Sequence, residues 1–237
     1  MAFGIYSLYR LLQPRFRARR MQLFVDLFQP SAATSILDVG GNVSDWRGVP
    51  IDSEITVVNV APTDSSSEYP ERFHYRMGDG RDLPFADQSF QIFYSNSVIE
   101  HLGTLEDQRR FAREALRVGR AVFVQTPNRW FPIEPHFIVP FLHFLPKRIQ
   151  RIFLPRFSFR GLFRGGDNVE MQHLFDELRL LSFREMQGLF PGCAIHRERM
   201  FGLTKSLIAI RKMDPSPAGG STANSETTAD SSHGVGK

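Results

Sequence analysis

The chain of 237 residues is 42% hydrophobic and 23% charged, with a formal net charge of +4 and a pI of about 9.5. These proportions exclude a disordered or fibrous polymer and fit one folded unit with a sizeable core, while the positive excess permits an anionic partner without demanding one. A single cysteine, Cys193, excludes an intramolecular disulfide and fits a reducing compartment, and the seven histidines show no ligand spacing, so no metal site is expected.

Residues 1–30 form an N-terminal helical segment. Met1 to Leu12 is apolar and aromatic, but Arg10 interrupts it and Arg15, Arg17, Arg19 and Arg20 follow it. A signal peptide places its charges first, and a membrane span needs about 20 unbroken apolar residues. A cytoplasmic protein is the expectation, with peripheral contact to an anionic membrane left open. Met21, Leu23, Phe24, Val25, Leu27 and Phe28 give a broad apolar face beside the arginines. Two readings follow: a helix over the edge of the domain with solvated charges, or an interfacial helix on anionic lipid.

Residues 31–213 form the main domain. Its first element is Ser35-Ile-Leu-Asp-Val-Gly-Gly-Asn-Val-Ser-Asp-Trp46, an apolar run ending at Asp38 and followed by two glycines and polar, helix-starting residues. That is the pattern of a strand handing a ligand to a helix N-terminus. Glu54 to Val60 is a β-branched run with Asn59 near its end, Arg72 to Met77 alternates and stops at Gly78-Asp-Gly80, and Ser89 to Ser95 is a fourth strand leaving through Asn96-Ser-Val-Ile-Glu-His101. Thr104 with Asp107 opens a helix striped by Phe111, Ala112, Ala115 and Leu116, and Gly119 ends it. Ala121 to Gln125 is a fifth strand, closed by Thr126-Pro-Asn128.

Strands alternating at this spacing predict βαβ units and a largely parallel sheet. Right-handed crossovers then bring Asp38 to Ser44, Asn59, Asp79, Gly80, Asn96 and Thr126 to one edge. From about 130 to 172 the pattern changes to prolines, with arginines interleaved among phenylalanines, a lid-like insertion over that edge. Ser182-Phe-Arg-Glu185 is a capping box for a short helix ended by Pro191-Gly192. Cys193 to Met200 and Thr204 to Lys212 form a closing antiparallel hairpin through Gly202. Residues 214–237 are small and polar, the composition of a disordered tail.

The ligand class follows first by exclusion. Gly41, Asn42, Val43, Ser44 and Asp45 after Gly40 lack the later glycines of a dinucleotide fingerprint, and no Lys followed by Ser or Thr supplies a phosphate loop. Four segments in order then carry a resemblance: Ile36 to Gly41, Gly78-Asp-Gly-Arg-Asp-Leu-Pro-Phe85, Ser89 to Leu102, and Gln125-Thr-Pro-Asn128. Over roughly residues 31–128 the chain resembles the class I S-adenosylmethionine-dependent methyltransferases, particularly the group that includes the ubiquinone-biosynthesis methyltransferases.

The resemblance implies an α/β fold, a Rossmann-like three-layer sandwich around a seven-stranded, mostly parallel sheet with an antiparallel last strand. It implies S-adenosyl-L-methionine as cofactor, with Gly40 and Gly41 beneath the methionine part and Asp38 holding its ammonium. Asn59 would face the ribose, Asp79 would accept from the adenine amino group, and Gly80 would read the ring through its backbone. Ser95 and Asn96 would line the methionine moiety. Two positions depart from the family pattern: the first loop has only two glycines, and Asn59 stands where an acid normally accepts from both ribose hydroxyls.

Methyl transfer to a nucleophilic atom needs mainly alignment, and a hydroxyl acceptor also needs a base within reach. The candidates are His136, His101 and Glu134, with Glu100 beside His101. The aromatic and basic insertion suits a small-molecule or lipid-like acceptor; nucleic acid is not expected. The alternative is a non-catalytic adapter that keeps the fold and binds a membrane surface or a protein.

Overall fold

Alternate residues of the central strands face opposite sides of the sheet, and the two sides are covered in different ways. In the computed structural model, which describes residues 2–61, 71–133, 141–146, 148–150 and 177–213, the strands are β1 (Ser35–Val39), β2 (Glu54–Asn59), β3 (Phe73–Met77), β4 (Phe90–Asn96), β5 (Gly119–Pro127), β6 (Ala194–Met200) and β7 (Leu203–Arg211). They form one sheet in the order β3-β2-β1-β4-β5-β7-β6. β1 to β5 pair in parallel, and β7 runs antiparallel to both β5 and β6. The sequence expectation of a seven-stranded, mostly parallel α/β sheet holds, and the antiparallel strand is the last in sequence.

One face of the sheet presents Leu37, Val39, Phe93, Val122 and Val124 to helices α2 (Leu105–Val118) and α3 (Phe183–Leu189), which contribute Phe111, Ala115, Met186 and Leu189. The other presents Ile36, Ile92, Tyr94, Ala121 and Phe123 to α1 (Ala2–Phe28), which contributes Met21 and Phe24. Phe24 has no solvent exposure and packs edge-on against Tyr94, Phe123 and Trp46 at centroid distances of 5.2, 5.5 and 5.7 Å. Burying one such aromatic side chain contributes about 2–3 kcal/mol. α1 therefore lies over the middle of the sheet and not over the domain edge, which corrects the first reading of residues 1–30. Among the described residues no helix is long and apolar enough to cross a membrane.

α1 is needed there because the first crossover contains no α-helix. After Gly40 and Gly41 the chain makes one 3-10 turn, Val43–Trp46, and runs directly into β2. The expected helix start is a turn capped by Asn42, whose side chain accepts from Ser44 N at 2.9 Å. The crossover from β4 to β5 has its helix: Thr104 Oγ1 accepts from Asp107 N at 3.0 Å and caps α2. Gly119 follows that helix with an extended φ of −91°, so it is not a left-handed cap. A Cβ there would lie 2.5 Å from Phe93 Cβ, and glycine is required for the close approach of β5 to β4. The α3 capping box and the closing hairpin form as expected. Phe201 and Gly202, with φ of 50° and 80°, make its two-residue turn. Of the lid-like insertion only residues 130–133, 141–146 and 148–150 are described, and the tail of residues 214–237 lies outside the described residues.

Candidate functional site

Among the described residues, two clefts open at the carboxyl edge of the sheet. The first, of about 380 Å³, lies at the exits of β1, β2 and β3 and is lined by Gly40, Asn59, Asp79, Gly80, Val98 and His101, among others. The second, of about 570 Å³, lies where β4 and β5 leave the sheet and β7 enters it, and α1 and Asp45 close its side. Both volumes fall in the range of small-molecule sites, roughly 300–1,000 Å³.

Backbone shapes the first cleft. Gly40 has φ +77°, and a Cβ on it would lie 2.5 Å from Val98 Cγ2, so only glycine lets the loop pass beneath Val98. Gly80 sits equally close to its neighbours, with Val39 Cγ1 2.8 Å and Phe111 Cδ2 2.9 Å from a built Cβ. Asn59 donates from Nδ2 to the Gly41 carbonyl at 2.9 Å, which fixes the amide and leaves Oδ1 as its acceptor. Asp79 is held by Arg81 through the backbone N–H at 2.9 Å and the guanidinium at 2.6–3.0 Å. That fork keeps its carboxyl below the ordinary carboxylate range. Arg81 also reaches Asp107 at 3.0 Å, which ties the turn after β3 to the start of α2.

Three of the expected cofactor residues line neither cleft. Asp38 is fully buried: Trp46 Nε1 donates to Oδ2 at 2.8 Å, and a Cβ on Gly41 would fall 1.9 Å from the same oxygen. Burial pushes its carboxyl up to about 7; the indole bond opposes that rise, and Asp45 adds to it. Gly41 is the cover over that carboxylate. Ser95 is fully buried and donates from Oγ to the Val39 carbonyl at 2.9 Å, bracing β4 against β1. The physical reason is shared: without a helix after β1 the loop folds down onto its own strand ends, and Trp46 plugs the face that the helix would cover.

The candidate bases also separate. His101 lines the first cleft, with Gly40 and Asp79, and not the second. Glu100 is fully buried; Thr126 Oγ1 donates to its Oε2 at 2.9 Å, and its backbone carbonyl accepts from Arg179 N at 2.7 Å. Glu134 and His136 lie outside the described residues. Asn96 is at the second cleft, away from the other expected cofactor residues.

Sequence reasoning missed the group that organises the second cleft. Arg20 is buried and forks onto Glu198, Nη2 to Oε2 at 3.0 Å and Nε to Oε1 at 3.4 Å. Its other terminal nitrogen donates to Gln125 Oε1 at 3.0 Å and to Asn96 Oδ1. Lys205 Nζ lies 3.6 Å from Glu198 Oε2 and 4.3 Å from the centroid of the Phe16 ring, and burial lowers the ammonium's pKa. The available signal was spacing: Phe16, Arg20 and Phe24 recur every four residues, which puts one arginine of the cluster on the buried stripe. Among the described residues no cluster suits a metal ion.

The atoms lining the first cleft match an adenosine only in part. The glycine cradle, the Asn59 Oδ1 acceptor and the Asp79 carboxylate fit a ribose and an adenine amino group, whereas the sealed Asp38 offers nothing to an ammonium in this conformation. Residues 39–121 match the family model of a methyltransferase domain, and no curated protein sequence matches the chain. A chain of the Haloferax volcanii complex containing the Trm112 methyltransferase activator superposes with TM-score 0.51 at 11% identity, over 87% of this chain and 94% of that one. A possible exported protein of Bordetella parapertussis gives 0.53 at 12% identity, over 83% and 67%. Haemonchus contortus phosphoethanolamine N-methyltransferase 2, in complex with S-adenosyl-L-methionine, gives 0.51 at 12%, over 83% of this chain and 43% of that one. The strand order and the matched segment, which runs from the end of β1 to the start of β5, together give the chain a Rossmann-like methyltransferase fold.

Proposed function

We propose that the protein transfers a methyl group from S-adenosyl-L-methionine to a small-molecule or lipid-like acceptor. The observation that carries this reading is the pair of clefts on one sheet edge, the first with an adenosine-shaped glycine cradle inside the segment that matches a methyltransferase domain. Gly40 and Gly80 would let the cofactor lie against backbone, Asn59 Oδ1 would accept from one ribose hydroxyl, and Asp79 would take the adenine amino group beside Arg81. Bound there, the sulfonium would supply an electrophilic methyl, and the chain's own contribution is to align the acceptor and exclude water. His101 is a ribose-side residue in this reading and not the base. The likeness to the ubiquinone-biosynthesis group and a peripheral, cytoplasmic placement belong to the same proposal.

A second reading, a non-catalytic adapter, is favoured by one observation: Asp38 and Asp79, the two acids assigned to the cofactor, are both engaged within the protein. Calorimetric titration with S-adenosylhomocysteine separates the two. Binding that weakens about tenfold in Asp79→Ala, with little loss of stability because that exposed pair with Arg81 is worth at most about 1 kcal/mol, supports the enzyme. No binding at millimolar ligand, together with no labelled-methyl incorporation in an extract, leaves the adapter.

A further inference from the structure

The mismatch between Asp38 and an ammonium belongs to the loop above the acid and not to the acid itself. Asp38 shares with Ile36 the face of β1 that α1 covers. There Trp46 Nε1 donates to Oδ2 at 2.8 Å, and Gly41 passes directly over the carboxylate. The other oxygen, Oδ1, is buried without a hydrogen-bond partner. A carboxylate offers about four acceptor sites, so one neutral N–H leaves this one far from satisfied. An acid buried in that state is costly to keep, and the rise of its pKa to about 7 has the same origin.

The cover over Asp38 is the loop of residues 41–47, and a glycine with left-handed φ flanks each end, Gly40 at +77° and Gly48 at +75°. A Cβ on Gly48 would meet nothing within 4 Å, so that glycine serves its backbone conformation and not a close approach. Asn59 ties the start of the loop through the Gly41 carbonyl, and Arg17 ties its far side through Asp45 at 2.5 Å. The Arg17 side chain is 55% exposed, so its pair holds the loop only weakly. Trp46 is the strong fastening: it is 1% exposed and packs against Tyr94 at 4.9 Å and Phe24 at 5.7 Å. The side chain that fastens the loop is therefore the one that supplies the donor to Asp38.

Resting on the reading that the first cleft takes an adenosyl cofactor, we propose that Trp46 is a specificity-determining residue whose indole N–H stands on Asp38 in place of the cofactor's ammonium. The two donors exclude one another. The free chain is the closed form, with the acid sealed by Gly41 and Trp46. In the loaded form residues 41–47 swing about Gly40 and Gly48, and Asp38 opens beside Gly40 to the first cleft. An ammonium with three N–H groups then replaces one neutral donor and reaches the orphaned Oδ1 as well. Charge-assisted bonds are about twice as strong as neutral ones, which offsets the withdrawal of Trp46. An adenosine without an ammonium gains nothing at Asp38 and leaves the loop closed, so the loop selects S-adenosyl amino acids over other adenosines.

The test uses the full chain carrying Trp130→Phe, in which Trp46 is the only tryptophan. Its fluorescence is followed while calorimetry reports binding of S-adenosylhomocysteine and of two truncated analogues. Methylthioadenosine lacks the amino-acid end, and the aminopropyl thioether of adenosine keeps the ammonium without the carboxylate. S-adenosylhomocysteine and the aminopropyl compound are expected to shift Trp46 emission to the red and raise its quenching by acrylamide several-fold; methylthioadenosine should leave both unchanged. Trp46→Phe keeps a ring against Tyr94 and Phe24 but removes the donor, so it should tighten S-adenosylhomocysteine up to about tenfold and leave methylthioadenosine unaltered. The fluorescence titration decides the matter if that variant fails to fold. Trp46 emission that stays put at saturating S-adenosylhomocysteine, an equal response to methylthioadenosine, or an unchanged affinity in a folded Trp46→Phe overturns the proposal. Binding with Trp46 unmoved sinks this inference alone, whereas no binding of S-adenosylhomocysteine to any of these proteins sinks the methyltransferase reading and the inference with it.

Discussion

The two clefts share a sheet edge but are assembled by opposite means. The first is built from residues that follow one another at strand exits: Gly40 after β1, Asn59 at the end of β2, Gly78 to Arg81 after β3. Its shape is set by backbone that passes close to Val98 and Phe111. The second is built from side chains that meet across the whole chain, with Arg20 of α1 bound to Glu198 of β6, 178 positions away, and to Gln125 of β5. A cleft made of local turns tolerates loss of any one side chain. A cleft made around one buried ion depends on that ion for its stability as well as for its chemistry.

The largest effect expected from this contrast is at Arg20. Arg20→Met removes every hydrogen bond it makes to Asn96, Gln125 and Glu198 and leaves the buried Glu198 carboxylate with Lys205 alone. Breaking a buried pair from one side costs about 3–5 kcal/mol. Urea unfolding should show that loss, and Glu198→Gln in the same chain should recover much of it. An equally stable Arg20→Met protein would mean that the second cleft is not organised by this ion.

How much of this was legible in the sequence follows the same division. Gly40, Asn59, Asp79 and Gly80 were readable because strand ends and turn residues announce themselves within a few positions. Arg20 stood in a run with Arg15, Arg17 and Arg19, and only its spacing from Phe16 and Phe24 distinguished it. Glu198 and Lys205 were invisible, because a charged residue in a strand reads as solvent-facing until its partner is known. Trp46 stood among residues read as starting a helix, yet its own side chain fills the place of that helix, packed against Phe24 of α1.

The Asp38 contact with Trp46 supplies the next test, since it seals an acid beneath the glycine loop that borders the first cleft. With its carboxyl raised to about 7 and an ordinary value near 3.8 when unfolded, the native chain holds a proton that the unfolded chain has lost. Stability conferred by that proton is full below about pH 4 and is lost as pH rises to about 7, by up to about 4 kcal/mol. Asp38→Asn keeps an oxygen for the indole N–H and removes the titration. It should unfold at higher denaturant than wild type at pH 8 and lose the part of the pH dependence that lies between 4 and 7. Parallel pH profiles for the two proteins would show that Asp38 is not sealed in solution, and would return it to the role of holding an ammonium in the first cleft.

The smallest effect discriminates most finely between side chain and backbone as makers of the first cleft. An acid at position 59 could accept from both ribose hydroxyls, so on binding grounds alone Asn59→Asp should tighten the cofactor. The amide, however, donates from Nδ2 to the Gly41 carbonyl at 2.9 Å, and a carboxylate cannot donate there. It would set two oxygens face to face at the base of the loop that also covers Asp38, at a cost of about 1–2 kcal/mol. The expected outcome is a small drop in stability with no gain in affinity for S-adenosylhomocysteine, read by unfolding and calorimetry on the same preparation. Tighter binding at unchanged stability would reverse the assignment. It would make position 59 a ribose contact first, and the glycine loop would hold its shape without the Asn59 tie.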